Sequence, residues 1–237
     1  MAVPGKVDHH DETIYGGGAL QFLDQVNLPA ALQLAVPVSV ENDGKAAELW
    51  LGNLKNVQNG AAVVLGTGVG GGLILNGQLY AGSHFQAGEL SFMVLDTDLS
   101  NPEHWLGSQG SVVRMIERIA TVLGLPDKHD GKAVFEAINQ GDRRALPIFS
   151  AYTQTIAQMI YNLQTVIDVD RVVIGGGISA QKIVAATIQA DYQALMAQND
   201  VIANVLTPIP ILTSRFGNDA NLYGAIYHLL MTINQEV

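Results

Sequence analysis

Three stretches of this chain hold residues whose types and spacing can do chemistry. Ala61 to Gly72 reads AAVVLGTGVGGG, an apolar run that predicts a buried strand and leads into Gly66, Thr67, Gly68, Val69, Gly70, Gly71 and Gly72. Without Cβ atoms, successive backbone N–H groups can converge on phosphate oxygens, and Thr67 adds a hydroxyl donor. Structural glycines at a sheet corner are the alternative. The segment 171–179 repeats the device, a strand ending in Gly175, Gly176 and Gly177 before a predicted helix over 181–197. That places a helix N-terminus behind the turn, as a nucleotide cradle needs, although a tight strand-to-helix turn uses the same residues. The third stretch is Glu41-Asn42-Asp43-Gly44, between a predicted strand at 36–40 and a predicted helix at 45–54. There Asn42 and Asp43 either present polar groups to a cleft or cap the helix.

The elements around the first glycine loop select among phosphate-binding schemes. Gly66, Gly68 and Gly71 satisfy the G-x-G-x-x-G spacing, and Glu89 lies near the distance of a ribose-binding acid. A dinucleotide site needs a helix next, however, and here Leu73-Ile74-Leu75, the turn pair Asn76-Gly77 and Gln78-Leu79-Tyr80 predict a hairpin. A nicotinamide cofactor is therefore disfavoured. The following glycine-flanked loop, 81–90, holds Glu89 as a ligand-binding carboxylate or a solvated one. Asp96, Asp98, Glu103 and His104 fit no ligand spacing, so no metal site is expected from them.

The rest of the chain must position these groups. Residues 1–18 are turn-rich, with short helices predicted at 19–26 and 29–34. Further helices are predicted at 108–123, 131–139 and 142–167, the last with an apolar stripe through Leu146, Phe149, Ile156, Met159, Ile160 and Leu163 that reads as core. A strand at 208–212 and a final helix at 221–231, capped by Asn218-Asp219-Ala220, complete an α/β order. With 237 residues, 48% of them hydrophobic, the chain can fill one large domain or two lobes. Twelve basic against twenty-two acidic residues give a net charge of −10, so nucleic acid is not an expected partner. No apolar run approaches the ~20 residues of a membrane span. Zero cysteines exclude disulfides and thiolate-bound metals, and with no export signal in MAVPGKVDHH the expected location is cytoplasmic.

Two glycine cradles over a hundred residues apart, with an Asn-Asp corner before the first, resemble the ROK family of bacterial sugar kinases and repressors, in the actin/hexokinase superfamily. The resemblance rests on VENDGKAAELW at 40–50, VVLGTGVGGGLILNGQLYAG at 63–82, AGEL at 87–90, VVIGGGIS at 172–179 and NDANLYGAIY at 218–227, in that order. It implies an actin-like, ribonuclease H-like two-lobe ATPase fold, with a small sugar-side lobe from 1–57 plus 218–237 and a large lobe from 58–217. It also implies an ATP-dependent, glucokinase-like sugar kinase, cytoplasmic and homodimeric, that uses Mg²⁺. Asp43 would be the general base, and Asn42, Glu89, Pro4 and Gly5 would line the sugar site. Thr67 and Gly68 would cradle phosphates, Gly176 and Gly177 would pack against the adenosine, and Gly66, Gly70 and Gly175 would complete the nucleotide site. Phosphoryl transfer depends on positioning and charge stabilisation, and a carboxylate within reach of the hydroxyl suffices as base.

Two departures from the family pattern matter. Many members hold a structural zinc with one histidine and three cysteines; here Ser91 and Phe92 occupy the histidine's place and cysteine is absent, so that zinc is not expected. Zinc-less members that resemble this chain include bacterial β-glucoside and N-acetylmannosamine kinase-like proteins. Members also open with a β-hairpin bearing an Asp-x-Gly-x-Thr phosphate loop that this sequence lacks, and it has no helix-turn-helix segment of the repressor branch. The resemblance thus implies a truncated small lobe with an exposed sheet edge and apolar surface. A catalytically impaired sugar-binding or oligomer-forming remnant is the alternative function.

Overall fold

The computed structural model describes residues 1–17, 20–43, 57–95, 98, 100–214 and 220–235. The N-terminal segment, expected as turns, forms strands β1 (Ala2–Val3), β2 (Lys6–Asp8) and β3 (Thr13–Tyr15), followed by β4 (Val26–Asn27) and β5 (Glu41–Asn42). β2, β3 and β4 make an antiparallel sheet, and β1 pairs in parallel with β5, Ala2 opposite Glu41 and Val3 opposite Asn42. Strands of two or three residues are too short to show a period of two, which is why they read as turns. Their inward side chains Val3, Val7 and Ile14 join Leu23, Leu28 and Val40 in a small core.

Three expectations here need correction. The helix at 19–26 is a single 3₁₀ turn at Gln21–Leu23 followed by β4. The strand expected at 36–40 does not form; pairing begins at Glu41, beyond Pro37, which has no N–H to give a ladder. The helix at 29–34 is Leu28–Leu32, with Pro29 in its first turn, and it stops at Gln33 in left-handed backbone at φ 48°.

The larger sheet is built as the glycine-rich hairpin suggests. β6 (Gly60–Leu65) runs antiparallel to β7 (Val69–Leu75), which turns through Asn76 and Gly77, both at positive φ, into β8 (Gln78–Leu79). β9 (Val172–Gly175) and β10 (Ile211–Thr213) add in parallel on the other side of β6, giving the order β10-β9-β6-β7-β8. Alternate residues of β6 serve different neighbours: Ala61, Val63 and Leu65 join the main helical core, while Ala62 packs with Val57 and Val173.

Helices cover the first of those faces. Val112–Leu123 starts at Ser111, whose hydroxyl accepts from the Arg114 N–H at 3.3 Å, and ends at Gly124 with φ 74°. Gly131–Asn139 starts at Asp130, which accepts from the Ala133 N–H at 2.9 Å. The 22-residue helix Leu146–Ile167 buries Phe149, Ile156, Met159 and Ile160 as its stripe implied, and it packs on Lys182–Met196. Leu146 itself, counted in that stripe, is exposed. The last helix, Ala220–Gln235, contacts β1. No helix among the described residues is long and apolar enough to cross a membrane.

The edge strand β10 is tied to the helical layer by one side chain. Gln189 accepts from the Ile211 N–H at 2.7 Å and donates to the Ile209 carbonyl at 3.4 Å. Gln189→Ala is expected to destabilise the protein by about 1–2 kcal/mol in urea unfolding, because it strands a half-buried backbone pair at the strand's start.

Candidate functional site

The two glycine turns lie side by side. β6 and β9 are parallel neighbours with Val64 opposite Gly175, so both strands run out into glycine at the same end of the sheet. Gly176 has φ 89° and ψ 170°, and a Cβ there would sit 2.1 Å from the Leu65 carbonyl oxygen. Backbone therefore packs on backbone where the second turn meets the end of β6. In the first loop, the Gly66 N–H donates to the Gly68 carbonyl at 3.0 Å. The Gly66 carbonyl accepts from the Val112 N–H at 2.9 Å, anchoring the loop to the start of a helix. Thr67 is exposed at the loop tip and Gly177 is exposed at the start of a 3₁₀ turn. Of the glycines assigned from sequence, Gly70 sits within β7 opposite Val64, and Gly175 within β9.

Glu89 reaches this region through the residues after it. It begins a 3₁₀ turn, Leu90–Phe92, that lies against the glycine hairpin: a Cβ on Gly71 would strike Leu90 at 2.3 Å, and one on Gly68 would come 2.7 Å from the Ser91 hydroxyl. That hydroxyl accepts from the Val69 N–H at 2.9 Å and donates to the Val69 carbonyl at 3.0 Å. Ser91 thus clamps the hairpin just beyond the loop, a role for which the sequence offers no signal, since the two residues are 22 apart. Ser91→Ala is expected to lower stability by about 1–2 kcal/mol by leaving the Val69 peptide unsatisfied, measured by denaturant unfolding.

The Asn42-Asp43 corner is organised from the other sheet. Asn42 Nδ2 donates to the Gly5 carbonyl at 2.8 Å. Gly5, at φ 95°, lies so close to the Tyr15 and Gly16 carbonyls that a Cβ would stand 2.7 and 2.8 Å from them. Pro4, Gly5 and Asn42 are thereby gathered at one point, and Asp43 follows, exposed, directly after β5. The helix expected at 45–54 and the Asn218-Asp219 cap lie outside the described residues. A link to the Glu89 loop is provided by Phe85, whose ring centroid is 5.0 Å from that of His9 and 5.4 Å from that of His10. His9 in turn bonds Glu41, the residue before Asn42.

Glu41 is buried, with 1% side-chain exposure, and faces His9 and His228. Burial by itself disfavours its carboxylate, but the His9 hydrogen bond and the charges of His9 and His228 outweigh it and hold the carboxyl below the usual range. Burial pushes the His228 imidazole down, and the charge of Glu41 offsets this only in part. Glu12, which accepts from the Val40 N–H through Oε2, has its carboxyl raised chiefly by burial.

The ROK family model matches residues 1–231 of this chain. The chain belongs to the ROK family. Its ROK relatives include a β-glucoside kinase of Klebsiella pneumoniae, 29% identical over 96% of this chain and 76% of the relative. An N-acetylmannosamine kinase of Vibrio vulnificus is 33% identical over 86% of this chain and 73% of its own length. Among solved structures, a ROK family protein from Streptococcus pneumoniae TIGR4 in complex with sucrose matches with TM-score 0.85 and 27% identity, over 99% of this chain and 80% of that one. The fold is accordingly the actin-like α/β fold of ROK sugar kinases, as the motif order implied.

Proposed function

We propose that this ROK protein transfers the γ-phosphate of ATP to a hydroxyl of a hexose or hexose derivative. The observation that carries this proposal is the adjacency of the two glycine turns at one end of β6 and β9, with the corner bearing Asp43 joined to the neighbouring Glu89 loop through His9 and Phe85. The kinase relatives support the reaction class.

In this proposal the N–H groups of Thr67 and Gly68 and the Thr67 hydroxyl hold phosphate oxygens, Gly66 shapes the loop through its bond to the Gly68 carbonyl, and Gly70 lies nearby at the start of β7. Gly175, Gly176 and Gly177 form the floor under the adenosine. At Gly176 and Gly68 a side chain would collide with protein, so glycine lets each turn pack tightly where the proposal seats the nucleotide. Asn42, Glu89, Pro4 and Gly5 orient the sugar, and the Asp43 carboxylate takes the proton of the attacking hydroxyl. Mg²⁺ carried by the nucleotide screens its charge, which matters in a chain of net charge −10. The lobes 1–57 plus 218–237 and 58–217 would close over the substrates, and a cytoplasmic homodimer belongs to the same proposal.

A coupled ADP-release assay over a panel of hexoses, N-acetylated hexosamines and β-glucosides tests it. Sugar-dependent turnover is expected with at least one of them. Saturable sugar binding without nucleotide binding or turnover would instead support the non-catalytic, oligomer-forming reading.

A further inference from the structure

One cluster of ligand-type side chains stands apart from the groups assigned to sugar and nucleotide. His9 follows β2, Glu41 lies on β5, and His228 lies on the last helix, three segments distant in sequence. One ligand atom from each lies within 4.8 Å of the others. Glu41 Oε2 is 3.2 Å from His9 Nε2 and 3.8 Å from His228 Nδ1. A tetrahedral Zn²⁺ with bonds of about 2.0–2.2 Å spaces its ligand atoms about 3.3–3.6 Å apart, so these separations bracket what the ion needs.

The carboxylate is set up as a ligand would be. Glu41 Oε2 is fully buried and accepts no hydrogen bond, which leaves its lone pairs facing the two imidazoles. The other oxygen, Oε1, accepts from the Asn42 N–H at 2.8 Å, which fixes the group while the ion takes the place of the proton between His9 Nε2 and the carboxylate. A plain histidine–carboxylate pair needs one imidazole. Here a second converges on the same oxygen from 3.8 Å, with ring centroids 5.4 Å apart, and Ser39 Oγ stands 3.1 Å from its Nδ1 as a further oxygen donor.

We propose that His9, Glu41 and His228 form a binding site for one divalent transition-metal cation of the zinc class. Two imidazoles and one carboxylate select such an ion over Mg²⁺, which takes oxygen ligands. The ion would staple the segment after β2, strand β5 and the last helix together, immediately before the Asn42-Asp43 pair. Its part is structural, and the site stands whether or not the chain phosphorylates a sugar.

The test uses untagged full-length protein stripped with EDTA, dialysed, and titrated with Co²⁺ while visible d–d absorption is followed, then with Zn²⁺ by calorimetry. One equivalent of Co²⁺ is expected, with the intense bands of a four-coordinate site, displaced by Zn²⁺, and the thermal midpoint should rise with Zn²⁺ concentration. His9→Gln and His228→Gln should each weaken binding by about tenfold or more. His129→Gln, whose ring pairs with Glu117 elsewhere, should change nothing. Absence of saturable binding by the wild-type chain would overturn the site, as would binding that both cluster variants leave intact. If His228→Gln does not fold, the wild-type titration still decides whether an ion binds, and His9→Gln, with a ring 24% exposed, decides where.

Discussion

Asp43→Asn is expected to lower kcat for sugar phosphorylation by about 10²–10⁴-fold while sugar and ATP affinities stay within a few-fold of wild type. The amide keeps the size and hydrogen-bonding reach of the carboxylate but cannot take the proton of the attacking hydroxyl. Asp43 is exposed after β5, so its replacement by an amide of the same size should leave the fold intact. Steady-state kinetics on the sugar that gives turnover, with circular dichroism as the fold control, separates the roles. A variant with wild-type kcat would remove Asp43 from the chemistry. A variant with unchanged kcat and raised KM would make it a sugar contact only.

Gly176→Ala carries the second large effect, on stability and nucleotide affinity together. At φ 89° and ψ 170° the backbone lies in a region that only glycine enters freely, and the added methyl would come 2.1 Å from the Leu65 carbonyl oxygen. Strain of this kind costs on the order of 3 kcal/mol, and its relief must push apart the ends of β6 and β9. Gly124→Ala is the matched comparison: its φ is 74°, but nothing lies within 4 Å of the new methyl, so only conformational cost remains, about 1 kcal/mol. Urea unfolding of both variants, with ATP binding by calorimetry, should show a markedly larger loss for Gly176→Ala and weakened ATP binding only there. Equal losses would mean that the contact with β6 is not a constraint.

How much of this was readable from sequence depended on segment length. The strand-loop-strand of 60–75 could be found because six or seven apolar and glycine residues run together and Asn76-Gly77 closes the hairpin. The helix Gly131–Asn139 was legible to the residue, since Asp130 caps it and its apolar positions repeat every three to four residues. The sheet around Gly5 was not legible: strands of two or three residues contribute at most one buried side chain each, and tertiary pairing alone shows them to be strands. Val38 and Val40 look like a strand face, yet Pro37 removes a donor and the pairing shifts to Glu41.

The site was legible in pieces and not in its joints. Glycines and the Asn-Asp pair stand out by type, whereas the Ser91 clamp on Val69, the Phe85–His9 contact and the meeting of His9, Glu41 and His228 each join residues far apart in the chain. Gly70 shows the opposite failure: glycine composition placed it in the loop, and pairing places it in β7.

The central claim is spatial, and a crystal structure with a substrate sugar and a non-hydrolysable ATP analogue measures it directly. An Asp43 carboxylate oxygen is expected about 2.6–3.2 Å from one sugar hydroxyl. That hydroxyl should face the γ-phosphate of a nucleotide seated on Gly66–Gly68 and Gly176–Gly177. A nucleotide bound away from both glycine turns, or an Asp43 side chain turned away from every sugar hydroxyl, would contradict it.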